Sequence, residues 1–183
     1  LSGAGVSYCA TCDGAFFRNK VTAVVGGGDV ALEDAIFLAR MCRKVYVIHR
    51  RDEFRGAKSL QENLLAQENV EILWDTVAEA VEGDDRVEHL RIRNVKTDKT
   101  DRLEIDGLFI AVGITPTSQA FAGLVEMDHG YIKAEEDCAT SMPGIFAAGD
   151  VRTKQLRQII TAAADGANAV TSVERYLTEH REA

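Results

Sequence analysis

Two cysteines near the start of the chain have the spacing that most directly suggests chemistry. Cys9 and Cys12 lie in the segment YCATCDG, and Asp13 follows the second cysteine directly. Three interpretations fit: half of a zinc knuckle, a chance pair of buried thiols, or a dithiol that cycles with its disulfide. A dithiol is favoured, because a Cys-x-x-Cys pair can close a small ring and can lower a thiol pKa, which raises the fraction of reactive thiolate.

The other residues that could bind a metal argue against zinc. A structural zinc site needs a second ligand pair at matching spacing. The remaining cysteines, Cys42 and Cys138, have no partner nearby in the sequence, and the histidines are scattered. We therefore expect no metal. Four cysteines in 183 residues are also too few for a disulfide-stapled fold, which indicates a reducing compartment.

A glycine-rich turn further along the chain predicts a dinucleotide site. Residues 21–25 form a short apolar run typical of a buried strand, and Gly26, Gly28 and Ala31 then satisfy the pattern G-x-G-x-x-G/A. The first glycine allows a tight turn, the second lets the backbone approach a pyrophosphate, and the alanine lets a helix lie close to the strand. The alternative is a turn with a purely structural role.

The surrounding pattern supports the nucleotide interpretation. A helix is predicted over residues 29–42 and a second apolar strand over 45–48, which completes a βαβ unit. A pyrophosphate would lie at the start of this helix, where free N–H groups and the helix dipole favour negative charge. Gly27 and Asp29 belong to the same loop and are further candidate contacts.

The residues after the second strand indicate which nucleotide binds. An NAD site usually carries an Asp or Glu about 20 residues after the glycine motif, on the ribose 2′-hydroxyl. Here that place holds His49, Arg50 and Arg51, with Arg55 soon after. Guanidinium groups bind a 2′-phosphate through paired, charge-assisted hydrogen bonds. The prediction is NADPH, and the alternative is a solvated basic patch.

The rest of the first part of the chain predicts an α/β fold with a β-meander. An amphipathic helix is expected within residues 56–67, buried strands over 70–74 and 107–113, and a domain boundary near 114–120. Alternating apolar and polar residues predict an antiparallel meander packed beside the parallel sheet. Its strands are predicted over residues 77–81, 87–95 and 102–106.

Beyond residue 120 the pattern predicts strands followed by one long helix. We expect a short strand within residues 130–135 and an apolar strand over 143–151 that contains Gly149 and Asp150. A helix follows over 157–177 with many small residues on one side. Small residues let either a flat ligand or a neighbouring element approach the helix closely, and the spacing alone leaves both open.

The overall composition excludes several classes. A net charge of −8 argues against sequence-independent binding of nucleic acid, which needs a basic face. No apolar stretch reaches the length of about 18–20 residues that a membrane span requires, and no charged-then-apolar leader is present. The sequence predicts a cytoplasmic protein that binds neither nucleic acid nor a membrane.

Taken in order, these motifs resemble the low-molecular-weight thioredoxin reductases, which are bacterial-type flavoprotein disulfide reductases. The resemblance covers the whole chain and lies in CATCDG, GGGDVALEDA, HRRDEFR, GLFIAVG, GIFAAGDV and RQIITAAADGANA. It implies a three-layer Rossmann-like NADPH-binding domain with a β-meander over residues 1–115. Residues 116–183 then correspond to the C-terminal part of a second, FAD-type Rossmann-like domain. The family's first glycine fingerprint, which binds FAD, has no counterpart here, so we expect the chain to match the later part of a reductase.

The resemblance also implies roles for individual residues. Electrons would pass from NADPH through FAD to the Cys9–Cys12 disulfide and on to thioredoxin or a thioredoxin-like protein. Cys12 would face the flavin, Cys9 would attack the partner, and Asp13 would exchange protons with the leaving thiolate, although Asp13 could instead cap the following turn. The residues expected to contact the flavin are Asp150, Arg157, Gln158 and Ile159, and Gly113 and Gly149 are further candidate cofactor-binding residues.

Three further expectations come from the resemblance. The chain would form a homodimer, and its NADPH domain would rotate about hinges near residues 1–7 and 114–120. The partner could also be a peroxidase-coupled or small-molecule disulfide. The alternative function is an NADPH-binding module of a split or truncated reductase that is inactive alone.

Overall fold

The computed structural model describes residues 1–180 and divides the chain into two compact units. The first unit comprises Leu1–Gly113, and the second begins at Ile114. The assignment of these units to an NADPH-binding domain and to part of a FAD-type domain stays a prediction.

A five-stranded parallel sheet forms the centre of the first unit. The strands are β1 (Val6–Ser7), β2 (Val21–Gly26), β3 (Lys44–Ile48), β4 (Val70–Leu73) and β8 (Gly107–Ala111). Their order in the sheet is β1-β8-β2-β3-β4. The apolar β2 lies in the middle because both of its faces are covered, and Ala23 and Val24 are fully buried. The predicted burial of β4 is wrong, because β4 is an edge strand and Glu71 is exposed.

Helices cover one face of this sheet. They are α1 (Ala10–Asp13), α2 (Asp29–Ala39) and α3 (Lys58–Leu65). Along α2, the side chains of Leu32, Ala35 and Leu38 are fully buried, and burying one leucine stabilises a fold by about 1.5–3 kcal/mol. The helix ends three residues earlier than predicted, since the Met41 amide bonds the Leu38 carbonyl in a tightened last turn.

The predicted antiparallel meander covers the opposite face of the sheet. It consists of β5 (Thr76–Glu82), β6 (His89–Asn94) and β7 (Thr100–Glu104), in that order. Leu90 and Ile92 of β6 are buried and pack in one cluster with Ala23, Ile48 and Leu108 of the parallel sheet. Helices, parallel sheet and meander form the three-layer α/β architecture that the sequence predicts.

The second unit contains a small hairpin and one long helix. The hairpin pairs β9 (Met127–Asp128) with β10 (Tyr131–Ile132), and the helix α4 spans Ile159–Glu179. The strand predicted over residues 143–151 is wrong. That segment makes only an isolated bridge, between Ala139 and Phe146, and it continues into a 3₁₀ turn over Gly149–Val151. Apolar residues form a strand only where a neighbouring strand pairs with them.

Within residues 1–180, no helix combines the length and the apolar character that a bilayer crossing would need.

Candidate redox and nucleotide-binding sites

Cys9 and Cys12 form a disulfide at the start of α1. Their Cα atoms are 5.3 Å apart, and the Cys9 sulfur accepts a hydrogen bond from the Cys12 amide at 3.2 Å. Cys12 is exposed and Cys9 is partly buried. Among the described residues, no group of histidine, cysteine or carboxylate side chains could hold a metal ion. Because Cys12 is exposed, the disulfide can exchange with an external thiol or disulfide.

The two other cysteines lie in environments that suppress such exchange. Cys42 is buried and its thiol donates to the Phe17 carbonyl at 3.4 Å. Cys138 is also buried, and its thiol donates to the Asp165 carbonyl at 3.4 Å. Burial raises the pKa of both thiols, which disfavours the reactive thiolate.

The carboxylate of Asp13, the residue that follows Cys12, is held by Ser7, which the motifs of the sequence do not indicate. The Ser7 hydroxyl donates to Asp13 Oδ2 at 2.6 Å, and Ser7 Oγ accepts from the Cys9 amide at 3.1 Å. Asp13 begins the 3₁₀ turn over Gly14–Phe17, but its side chain makes no capping hydrogen bond there. Turn capping, the alternative considered for Asp13, is thus not what its carboxylate does in this structure.

The glycine loop between β2 and α2 has the close contacts that its sequence predicts. Gly26 has a φ of +154°, and a Cβ atom there would collide with the Ala111 carbonyl and with Ala31. These contacts explain why the turn is tight and why α2 lies close to the sheet. A Cβ atom at Gly28 would meet nothing within 4 Å. The backbone at Gly28 therefore faces open space, as an approaching pyrophosphate requires.

Backbone hydrogen bonds tie the arginine segment to this loop. The Gly27 carbonyl accepts from the amides of Arg55, at 2.8 Å, and Gly56, at 3.1 Å. Asp29 Oδ1 accepts from the Ala57 amide at 2.7 Å. Asp29, predicted as a cofactor contact, thus joins two loops of the site. The distance from the glycine turn to the basic segment is fixed by the backbone.

A groove of about 320 Å³ lies along this loop. The glycine turn, the ends of β3 and β8 and the start of β5 line it, together with Arg50 and Arg55. Arg51 is exposed nearby in the sequence. Gly113 has a φ of +104° and ends the first unit, next to Val112, which lines the groove. The open backbone at Gly28 and the arginines fit the diphosphate and 2′-phosphate of a dinucleotide.

His49 is placed differently from the arginines with which it was grouped. Its side chain is only 6% exposed, and its ring packs near Phe54 and Trp74, with ring centroids 5.5 and 6.2 Å away. A Cβ atom at Gly27 would collide with the ring. Burial lowers the pKa of His49; the charges of Arg51 and Arg55 add to this effect, and the carbonyls of Glu53 and Gly26 oppose it. His49 therefore packs against the glycine loop and supports it, and it also lines the groove with Arg50 and Arg55.

A buried charge cluster fixes the turn that carries Asp150. Asp165 accepts two hydrogen bonds from Arg152, each 2.7 Å long, one from Lys154 at 2.8 Å and one from the Gly149 amide at 2.9 Å. The Arg152 guanidinium holds the pKa of Asp165 well below its usual range, although burial opposes this shift. Asp150 itself is exposed. The sequence gives little sign of this cluster, since its members are spread over fourteen positions.

Three of the residues predicted to contact a flavin lie at the start of α4, where Ile159 is exposed and Arg157 and Gln158 are half-buried. Gln158 and Thr161 form a reciprocal capping box. The Arg157 guanidinium lies 3.9 Å from the centre of the Tyr131 ring, and its buried Nε has no hydrogen-bond partner among the described residues. Ile159 is 91% exposed and Ile160 is 75% exposed. The exposed apolar side chains could pack against a flat ring, and the unpartnered Nε could donate a hydrogen bond to a polar atom at the edge of that ring.

Comparison with known proteins agrees with this geometry. The sequence profile of the family described as Pyridine nucleotide-disulphide oxidoreductase matches residues 1–166. A thioredoxin reductase of Peptoclostridium acidaminophilum is 45% identical over 97% of this chain and 58% of its own length. One of Listeria monocytogenes is 44% identical over 100% of this chain and 58% of its own length.

Solved structures give the same result. The thioredoxin reductase of Streptococcus pyogenes has a TM-score of 0.91 and 46% identity, covering 96% of this chain and 58% of that protein. The thioredoxin reductase of Lactococcus lactis, in its FR conformation, has a TM-score of 0.68 and 39% identity, covering 97% of this chain and 59% of that protein. The chain thus spans less than two thirds of the length of these relatives. With its disulfide, its glycine loop and a profile match over 166 residues, the chain belongs to the pyridine nucleotide-disulphide oxidoreductase family.

Proposed function

We propose that this chain carries the NADPH-binding and dithiol parts of a thioredoxin-disulfide reductase. The observation that carries the proposal is the presence, in one compact unit, of an accessible disulfide and a dinucleotide groove with arginines at its end. The family supplies the reaction class, and the relatives' names supply thioredoxin as the partner. A homodimer and a cytoplasmic location remain predictions from the sequence.

NADPH is the proposed nucleotide because the basic segment occupies the place where an acidic residue would select NADH. Arg50 and Arg55 line the groove, and the Arg55 backbone is hydrogen-bonded to Gly27. A 2′-phosphate there would gain charge-assisted hydrogen bonds that NADH lacks. The expected result is tighter binding of NADPH than of NADH.

The proposed order of the dithiol reaction is the one that the family resemblance implies for Cys9 and Cys12. The net reaction takes NADPH, one proton and a partner disulfide to NADP⁺ and a partner dithiol. FAD, when bound, carries the electron pair between the nicotinamide and the Cys9–Cys12 disulfide. In the reduced chain, the Cys9 thiolate attacks the partner disulfide and one partner sulfur leaves as a thiolate. Cys12 then attacks the Cys9 sulfur, which restores the disulfide and releases the partner as a dithiol.

Asp13 accepts and returns protons during this thiol–disulfide exchange. The carboxylate directly follows Cys12 and is held in place by Ser7. It can accept the proton of the attacking thiol and return it to a leaving thiolate. Asp13→Asn should slow thiol exchange much more than it weakens NADPH binding, and equal losses in both would contradict this role.

The flavin-binding residues present here form part of a site. Asp150 and Ile159 are exposed and Arg157 and Gln158 are half-buried, and together with the unpartnered Arg157 Nε they are proposed to contact the polar chain and the flat ring of FAD. The chain contains one glycine fingerprint, and the groove around it fits NADPH.

A second candidate is an NADPH-binding module that is inactive without a complementary polypeptide. The chain spans 58% of the length of these relatives. To separate the two, the purified chain is mixed with FAD, desalted and titrated anaerobically with NADPH. A retained flavin spectrum that bleaches supports a working reductase. Loss of the flavin, with NADPH still bound more tightly than NADH, supports the module.

A further inference from the structure

We propose that Ser7 is a positioning residue of the redox centre, which holds the Asp13 carboxylate at the site of proton exchange. This inference rests on the proposed function, because it assigns Asp13 a role in thiol chemistry. The relationship was not evident in the sequence, where Ser7 reads as an ordinary residue of the segment before the cysteines.

The hydrogen bonds around Ser7 leave its hydroxyl proton directed at Asp13. Ser7 Oγ accepts from the Cys9 amide at 3.1 Å. The hydroxyl then has one proton to donate, and two acceptors are within reach: Asp13 Oδ2 at 2.6 Å and the Cys9 carbonyl at 3.3 Å. The shorter, charge-assisted bond to the carboxylate is the stronger one.

Ser7 is itself fixed by the parallel sheet. It is the last residue of β1, is only 5% exposed and pairs with Phe109 of β8. Phe109 is fully buried and packs edge-to-face on Phe17, with the ring centroids 5.3 Å apart. A buried strand residue of this kind holds a partner more rigidly than a loop residue does.

Asp13 depends on this anchor. Within residues 1–180, the bond from Ser7 is the hydrogen bond that its carboxylate makes, and the carboxylate does not cap the turn that follows. The same serine oxygen holds the backbone of Cys9. Ser7 therefore connects the carboxylate after one cysteine to the main chain of the other. Without the hydroxyl, the carboxylate would rotate into solvent.

The expected effect concerns the pH dependence of thiol reactivity. A carboxylate held beside a thiol disfavours the thiolate by charge repulsion. Ser7→Ala should release that carboxylate and so shift the midpoint of Cys12 alkylation to lower pH, in the same direction as Asp13→Asn. Ser7→Thr keeps a hydroxyl and should stay near the wild-type midpoint.

The test uses the full chain after reduction with dithiothreitol, without flavin. Alkylation of Cys9 and Cys12 by iodoacetamide is followed across pH by peptide mass spectrometry, for the wild type, Ser7→Ala, Ser7→Thr, Asp13→Asn and the double variant Ser7→Ala with Asp13→Asn. Well below the wild-type midpoint, a shift of about one pH unit in Ser7→Ala should raise the Cys12 thiolate fraction, and with it the alkylation rate, by about tenfold, whereas at the midpoint itself the gain is limited to about twofold. In the Asp13→Asn background, Ser7→Ala should add no further shift.

Two results would overturn the proposal. The first is an unchanged midpoint of Cys12 alkylation in Ser7→Ala. The second is that Ser7→Ala shifts this midpoint equally in the wild-type and the Asp13→Asn backgrounds. Thermal unfolding and NADPH affinity are measured on every variant. If Ser7→Ala does not fold, Ser7→Gly is used instead. An unchanged midpoint of Cys12 alkylation in Ser7→Gly would contradict the proposal in the same way. Failure of NADPH to bind the wild type would count against the proposed function and leave the alkylation comparison intact.

Discussion

The imidazole of His49 lies directly behind Gly27, so that no side chain larger than hydrogen fits at that loop position. Two backbone amides of the arginine segment bond to the carbonyl of the same glycine. The buried histidine and the basic segment therefore hold the nucleotide loop between them. Changes at Gly27 or His49 should therefore alter the stability of the first unit.

Alanine at two neighbouring glycines should have opposite consequences. Gly27→Ala forces a methyl group into the His49 ring and should lower the free energy of unfolding by about 1–3 kcal/mol, the usual cost of overpacking. Gly28→Ala places its methyl group in open space, so it should leave stability nearly unchanged but weaken NADPH binding. Urea unfolding and NADPH titration of both variants check this. Equal stability losses in the two variants would contradict it.

Neutral His49 should contribute stability to the first unit that is lost in acid, whereas Asp34, whose pKa is raised to about 6 mainly by burial, contributes in the opposite direction. The pKa of His49 is lowered in the folded chain, mainly by burial. The unfolded chain, in which a histidine has a pKa of about 6.5, therefore binds the proton more readily. The stability that depends on neutral His49 is complete above that pH and is lost as pH falls through it. His49→Phe should flatten this dependence in urea unfolding from pH 7.5 to 5. His129→Gln is the matched control, since that side chain is 92% exposed, and should retain the wild-type slope.

The arginines should determine the nucleotide preference. Replacing Arg50 and Arg55 by alanine should weaken NADPH binding by about tenfold or more, as expected for lost hydrogen bonds to a charged group, and should hardly affect NADH. Arg40→Ala, at the end of α2, removes an exposed arginine outside the groove lining and should leave both affinities unchanged. Isothermal titration with each nucleotide measures the ratio. Parallel losses for both nucleotides would argue for a general basic patch.

The buried Asp165 should be essential for the stability of the second unit. Asp165→Asn leaves the Arg152 and Lys154 charges uncompensated and should reduce the free energy of unfolding by about 3–5 kcal/mol. Asp150→Asn, a change at an exposed carboxylate on the adjoining turn, should cost little. Hydrogen exchange of the Gly149 amide provides a local measurement, because that amide bonds Asp165. Unchanged exchange in Asp165→Asn would contradict the prediction.

The sequence predicted those parts of the molecule in which local pattern and tertiary contacts agree. The βαβ unit around Gly26 and the three meander strands follow from apolar periodicity and turn residues. The strand predicted over residues 143–151 failed because its partner is decided by long-range pairing, which periodicity does not report. Likewise, the sequence gives no reason to treat His49 differently from Arg50 and Arg51. Only the packing in the folded chain shows that His49 is buried and that the arginines are exposed.

The most direct test of the account is whether NADPH reduces the Cys9–Cys12 disulfide. The oxidised chain is incubated anaerobically with FAD and either NADPH or NADH, then quenched with iodoacetamide, and labelled Cys9 and Cys12 are quantified by mass spectrometry. Both cysteines should become labelled with NADPH and FAD together, and far less with NADH or without flavin. If NADPH binds but the disulfide stays intact with FAD present, this chain is not itself the reductase.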